Sequence, residues 1–115
     1  MFPSLKILVV EDNPDSQQMV CELIGMMGYT PSCAADGERA LQLIQAQPFD
    51  VLLTDVSLPG MSGIALARAA LGHQPALRIV FCTGYDKEAL GASGIPASVL
   101  RKPYDLDELR AALEA

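Results

Sequence analysis

Three carboxylates, one lysine and one hydroxyl are the side chains of this 115-residue chain best suited to act together: Glu11, Asp12, Asp55, Lys102 and Thr83. Each carboxylate and the lysine close a short apolar run. Leu5-Lys6-Ile7-Leu8-Val9-Val10 leads into Glu11-Asp12, Val51-Leu52-Leu53-Thr54 into Asp55, and Ser98-Val99-Leu100-Arg101 into Lys102-Pro103. Mg²⁺ takes oxygen ligands in octahedral geometry, usually one or two carboxylates with water. Crowded carboxylates repel unless a cation lies among them or one of them is protonated. With a cation present, Asp55 could attack phosphorus and become an acyl phosphate. Lys102 offers a compact positive charge that can pair with Asp55 at rest and with a phosphoryl oxygen after transfer. Thr83, just past a further apolar run, has a hydroxyl to donate.

Singly, these residues have simpler readings. Acidic residues before a helix suit its electropositive N-terminus, Asp55 also fits a hydrogen-bonded structural role, Lys102 fits a surface lysine, and Thr83 fits a strand end. Their meeting depends on the elements that carry them. Residues 5–10 are too short for a helix and apolar on both faces, as a buried parallel strand is. Asn13-Pro14 reads as an N-cap with proline in the first turn. Met19, Val20, Leu23, Ile24 and Met27 follow at helical spacing, and Gly28 ends the helix. A weaker strand is expected over Thr30 to Ala34. Asp36-Gly37 turns into a helix with Ala40, Leu41 and Ile44 inward.

The third strand is expected over Phe49 to Val56, then a loop from Leu58 to Gly63 marked by Pro and Gly, and a helix from Ile64 to Leu71. Leu77 to Cys82 reads as the fourth strand and Ser98 to Leu100 as the fifth. Between them, Asp86 to Pro96 holds Gly91, Gly94 and Pro96, so a helix there is expected to be short or irregular. Asp105 to Ala115 is the last helix, with Leu106, Leu109 and Leu113 as its stripe. Strands alternating with helices imply an α/β fold, a doubly wound five-stranded parallel sheet. In such a sheet the carboxyl ends of the strands line one edge, where ligands bind.

One domain, residues 1–115, accommodates the whole chain. A net charge of −6 without a Lys or Arg cluster gives no basic patch for direct nucleic-acid binding. No apolar run is long enough to span a membrane and no signal-peptide pattern opens the chain, which points to a cytoplasmic domain without membrane contact. Cys21, Cys33 and Cys82 lack C-x-x-C spacing and read as small buried hydrophobes in a reducing compartment. Cys82 adjoins Thr83.

In this order the residues resemble the receiver domain of two-component response regulators, across essentially the full length. The acidic pair is Glu11-Asp12. The D-x-x-x-P-x-x-x-G segment is Asp55, Pro59 and Gly63. The fourth strand ends at Thr83, and Lys102-Pro103 follows the fifth. The resemblance implies a flavodoxin-like (β/α)5 receiver whose Asp55 accepts a phosphoryl group from a histidine kinase or a histidine phosphotransfer protein, and which catalyses its own phosphorylation and dephosphorylation. It implies Mg²⁺, with Mn²⁺ as a substitute, held by Asp12, Asp55 and the backbone carbonyl of Ser57, with Glu11 acting through water. It implies a cis Lys102-Pro103 peptide, and it leaves dimerisation open. His73, in an expected loop, matches no family position and reads as a surface residue.

Three departures qualify the likeness. Val99 stands where many receivers carry a switching aromatic. The stretch from Thr83 to Lys102 is short and rich in Gly and Pro. Tyr85 is bulky enough to screen a phosphoryl group from water, which points to altered hydrolysis. Thr83-Gly84-Tyr85 is also similar to receivers of hybrid sensor histidine kinases. The alternative within the same fold is a pseudo-receiver, an interaction module without phosphorylation. Haloacid-dehalogenase-like phosphatases need a second acid where this chain has Ser57, and no P-loop motif is present. The Glu-Asp-Asn-Pro turn after the first strand would repel a cofactor phosphate.

Overall fold

In the computed structural model, residues 5–84 and 94–114 are described. Five parallel strands, β1 (Lys6–Val10), β2 (Thr30–Ala34), β3 (Val51–Asp55), β4 (Arg78–Thr83) and β5 (Ala97–Arg101), form one sheet in the order β2-β1-β3-β4-β5. The helices are α1 (Pro14–Met26), α2 (Gly37–Ala46), α3 (Gly63–His73) and α4 (Leu106–Glu114). The expected short helix between β4 and β5 falls largely on residues 85–93, outside the described residues, as does Tyr85.

Alternation along the strands divides the core into two layers. Leu8, Leu52, Ile79 and Phe81 face Ala40 and Ile44 of α2 and Leu66, Ala67 and Ala70 of α3. Ile7, Val9, Leu53, Val80 and Leu100 face Val20 and Ile24 of α1 and Leu109 and Leu113 of α4. Both faces of the central strands are therefore apolar, which is why their sequences are unbroken hydrophobic runs. Strand β1 has β2 on one side and β3 on the other, so the winding reverses there. That reversal opens the crevice between the loops after β1 and β3.

The helix starts follow from local chemistry. The Asn13 side chain accepts from the backbone N–H groups of Asp15 and Ser16, with Pro14 in the first turn. Asp36 accepts from the Arg39 N–H and Ser62 from the Ala65 N–H. Gly28, at φ 92°, takes the left-handed turn that releases the chain from α1 into β2.

Several expectations change. Met19 is 55% exposed although it shares the apolar spacing of α1, because the stripe that faces the sheet is Val20 and Ile24. Helix α3 continues through Gly72 to His73, which sits at a helix end rather than in a loop, exposed and near Gln45. Cys21 and Cys33 are not two separate buried thiols: they are half-buried and joined in a disulfide between α1 and β2. Cys82 is buried and free, as expected. Leu106 is half-buried, while Leu109 and Leu113 are fully buried.

Candidate phosphorylation site

Register brings the site together before any side chain is considered. Val10 is level with Thr54, Asp55 with Cys82, and Thr83 with Arg101. The residues that follow or end these strands thus share one edge of the sheet. Two backbone bonds hold the edge: the Lys102 N–H donates to the Thr83 carbonyl at 2.9 Å and the Val56 N–H to the Cys82 carbonyl at 3.2 Å.

Glu11, Asp12 and Asp55 each present a carboxylate oxygen, and the three lie within 4.8 Å of one another. Glu11 and Asp55 are buried, at 6% and 9% exposure, and Asp12 is open to solvent. Hard oxygen donors at this spacing fit Mg²⁺, with water completing its shell. The Lys102 ammonium lies 2.8 Å from Asp55 Oδ1 and 3.4 Å from Glu11 Oε2. Burial holds the Asp55 carboxyl above the ordinary carboxylate range, and Lys102 offsets part of that shift.

Asp55, Ser57, Thr83 and Lys102 line one small cavity of about 70 Å³, with Val56, Cys82 and Gly84 completing the wall. The loop after β3 doubles back so tightly that a Cβ on Gly63 would stand 2.0 Å from the Asp55 carbonyl oxygen. Only glycine fits there, which explains why Asp55 and Gly63 occur together. The Gly63 N–H donates to the Val56 carbonyl at 2.7 Å. The Lys102-Pro103 peptide is cis, as the resemblance implied.

Sequence reasoning passed over two residues. Gln17 gives one side-chain amide hydrogen to the Glu11 carbonyl at 3.0 Å and the other to the Ala34 carbonyl at 3.1 Å. It thereby ties α1 to the ends of β1 and β2 beside the acidic pair. The signal was a polar residue at position 17 in line with Val20 and Ile24, on the buried stripe. Tyr104, two residues past Lys102, lines a larger groove of about 310 Å³ with Glu11, Met19, Val20 and Lys102.

These features suit a divalent cation and a phosphoryl group at one edge of a doubly wound sheet, and the chain belongs to the response regulator receiver domain family, which it matches over residues 7–114. It is 38% identical over 107 residues to the response regulator receiver protein CpdR of Brucella abortus, covering 90% of this chain and 89% of that one. The receiver domain of a sensor histidine kinase from Pseudomonas aeruginosa, solved with a magnesium ion coordinated in its active-site cleft, superposes with a TM-score of 0.87. It is 28% identical, covering 97% of this chain and 96% of that one. Response regulator TrrA of Thermotoga maritima, solved with Mg²⁺ and BeF, gives a TM-score of 0.87 at 27% identity, covering 96% of each chain. The chain spans only 46% and 26% of two longer curated relatives. It is a receiver domain of two-component signalling, with an acidic pocket suited to Mg²⁺ and phosphorylation. No helix among the described residues is long and apolar enough to cross a membrane.

Proposed function

We propose that Asp55 is the phosphoacceptor of a two-component phosphorelay, taking its phosphoryl group from a phosphohistidine on a kinase or phosphotransfer protein. The observation that carries this reading is the 2.8 Å approach of Lys102 Nζ to Asp55 Oδ1 inside a cluster of three carboxylates. A carboxylate oxygen of Asp55 attacks phosphorus, the phosphorus–nitrogen bond to the imidazole breaks, and the leaving ring keeps that electron pair and takes up a proton. Lys102 then moves its charge from Asp55 to a phosphoryl oxygen, and the Thr83 hydroxyl donates to another. Asp12 and Asp55 hold Mg²⁺ with the Ser57 carbonyl, and Glu11 acts through water. Bound there, the ion shields the charge of the incoming group. Mn²⁺ suits the same oxygen donors.

Phosphorylation adds about −1.5 to −2 charges and three acceptor oxygens at Asp55. Loop arrangements that bring Thr83 inward gain contacts with those oxygens, and partners that distinguish the arrangements read the signal. No observation favours the interaction module without phosphorylation. The assignment as one domain, a cytoplasmic setting and membership of a hybrid kinase are parts of the same proposal. In the cytoplasm the Cys21–Cys33 pair is expected as thiols, because that compartment keeps cysteines reduced.

The test is intact mass after incubation with acetyl phosphate and Mg²⁺, beside Asp55→Asn and a metal-free control. A gain of one phosphoryl group on the wild type alone is expected. An unmodified wild type under acetyl phosphate and under a phosphohistidine donor would refute the acceptor role.

A further inference from the structure

The peptide that joins Glu11 to Asp12 is held on both sides. Val10 is level with Ala34, and one residue further the Glu11 N–H donates to the Ala34 carbonyl at 3.1 Å. The Glu11 carbonyl accepts from the Gln17 side-chain nitrogen at 3.0 Å, and the same nitrogen donates to the Ala34 carbonyl at 3.1 Å. Gln17 is itself anchored. Its N–H donates to the Asn13 carbonyl at 2.9 Å, closing the first turn of α1, and the Asn13 side chain caps that turn. One amide group therefore joins α1, the end of β2 and the peptide that leads into Asp12.

The two acids depend on that peptide to different degrees. The Glu11 carboxylate is buried and has partners of its own, the Asn13 N–H at 3.3 Å and the Lys102 ammonium at 3.4 Å. Asp12 is open to solvent, so packing does little to fix its side chain and its place follows from the backbone. A peptide unit is planar, so holding the Glu11 carbonyl also sets the direction of the Asp12 N–H and Cα. We propose that Gln17 is a positioning residue for Mg²⁺: it fixes the peptide between Glu11 and Asp12 and so aims the Asp12 carboxylate at the cluster it forms with Glu11 and Asp55. A terminal amide suits this task. Its nitrogen offers two hydrogens to two carbonyls and adds no charge beside three carboxylates that lie within 4.8 Å of one another.

This inference rests on the reading of Asp12 as a metal ligand, and the experiment separates it from the acceptor role of Asp55. Mg²⁺ affinity by isothermal titration and the Mg²⁺ dependence of phosphorylation by acetyl phosphate are compared for wild type, Gln17→Met, Gln17→Asn, Asp12→Ala and the Gln17→Met/Asp12→Ala double variant. Methionine keeps the length without the hydrogens, and asparagine keeps the amide one methylene short. Each Gln17 variant is expected to raise the Kd for Mg²⁺ about tenfold, the lower end of what losing an outer partner of a metal ligand costs. The Mg²⁺ midpoint of the phosphorylation rate shifts by the same factor, while the rate at saturating Mg²⁺ stays at the wild-type value because Asp55, Thr83 and Lys102 keep their places. In the Asp12→Ala background, Gln17→Met is expected to change the Kd by less than about twofold, since the side chain it positions is gone. Gln74→Ala, which removes three backbone partners away from the site, serves as the control for general loosening. It should unfold more easily and bind Mg²⁺ as wild type does. Wild-type affinity in either Gln17 variant, a full tenfold loss on top of Asp12→Ala, a lowered plateau with an unshifted midpoint, or an equal loss in Gln74→Ala overturns the positioning role. A wild type that binds Mg²⁺ but gains no phosphoryl group refutes the acceptor role alone, and the titrations then decide for or against Gln17 by themselves. A wild type that binds no Mg²⁺ removes both.

Discussion

One ammonium serves two buried carboxylates: Lys102 Nζ stands 2.8 Å from Asp55 Oδ1 and 3.4 Å from Glu11 Oε2. The attraction does not fully offset burial, since the Asp55 carboxyl remains above its ordinary value of 3.8. A raised carboxyl pKa means that the folded state holds the proton more tightly than the unfolded one. Its ionisation therefore lowers stability as pH rises through the folded value, and the effect vanishes below the ordinary value. Asp55→Asn is accordingly expected to melt at a higher temperature than wild type near neutral pH. The gain should fade on acidification toward 3.8. Thermal melts across that range check this, and a lower melting temperature for Asp55→Asn at neutral pH contradicts it.

Lys102→Met separates metal binding from phosphoryl transfer. Three carboxylates within 4.8 Å lose their nearby cation, so Mg²⁺ is expected to bind more tightly while phosphorylation by acetyl phosphate slows. Isothermal titration beside the rate measurement decides, and equal losses in both quantities count against the separate roles.

Mg²⁺ binding should appear directly as stability. A ligand that binds only the folded state at a hundredfold excess over its Kd stabilises by about 2.7 kcal/mol. Wild type is expected to unfold at higher urea with Mg²⁺ than with EDTA. Asp12→Ala should lose most of that difference, although Asp12 is exposed and buries little in the fold. An Asp12→Ala response equal to wild type would remove Asp12 from the ligand set.

Much of the site was legible because its residues close strands of one parallel sheet, and that topology brings strand ends to one edge whatever the chain between them. Val51-Leu52-Leu53 could only be a strand buried on both faces, so a carboxylate at its end needed a partner, and Lys102 is that partner. Gln17, Tyr104 and the Cys21–Cys33 bridge were not legible in the same way. Each depends on how far apart two packed elements stand, which side-chain types do not specify. Helix α3 runs past its expected end at Leu71, because packing of Leu66, Ala67 and Ala70 carries it through Gly72 to His73 despite the weak helix propensity of glycine.

The exposed Met19 forms part of the apolar wall beside Lys102. A protein donor that brings a phosphohistidine to Asp55 across this wall would touch Met19, whereas acetyl phosphate would not. Met19→Glu is therefore expected to slow transfer from a protein donor about tenfold or more relative to acetyl phosphate. The ratio of the two rates is the readout, and an unchanged ratio places the donor elsewhere.

Gln74 stabilises the fold away from the site. Its side chain accepts from the Phe49 N–H at 2.8 Å and donates to the carbonyls of Ile44 and Gln47, each at 2.8 Å. One amide thus satisfies three backbone groups around the end of α2 and the approach to β3, and none of them touches the Asp55 cavity. Gln74→Ala leaves these partners to water or unpaired, with an expected loss of about 1–3 kcal/mol in unfolding free energy. Gln74→Glu should cost a comparable amount, because a carboxylate can still accept from Phe49 but faces two carbonyls that it repels. Urea unfolding gives the stability change, and acetyl phosphate labelling of the folded fraction gives the site's rate. If both variants unfold more easily yet phosphorylate at the wild-type rate, this connection supports the sheet without tuning its chemistry. A slowed rate in the folded fraction would show that strain at the end of α2 reaches Asp55 along β3.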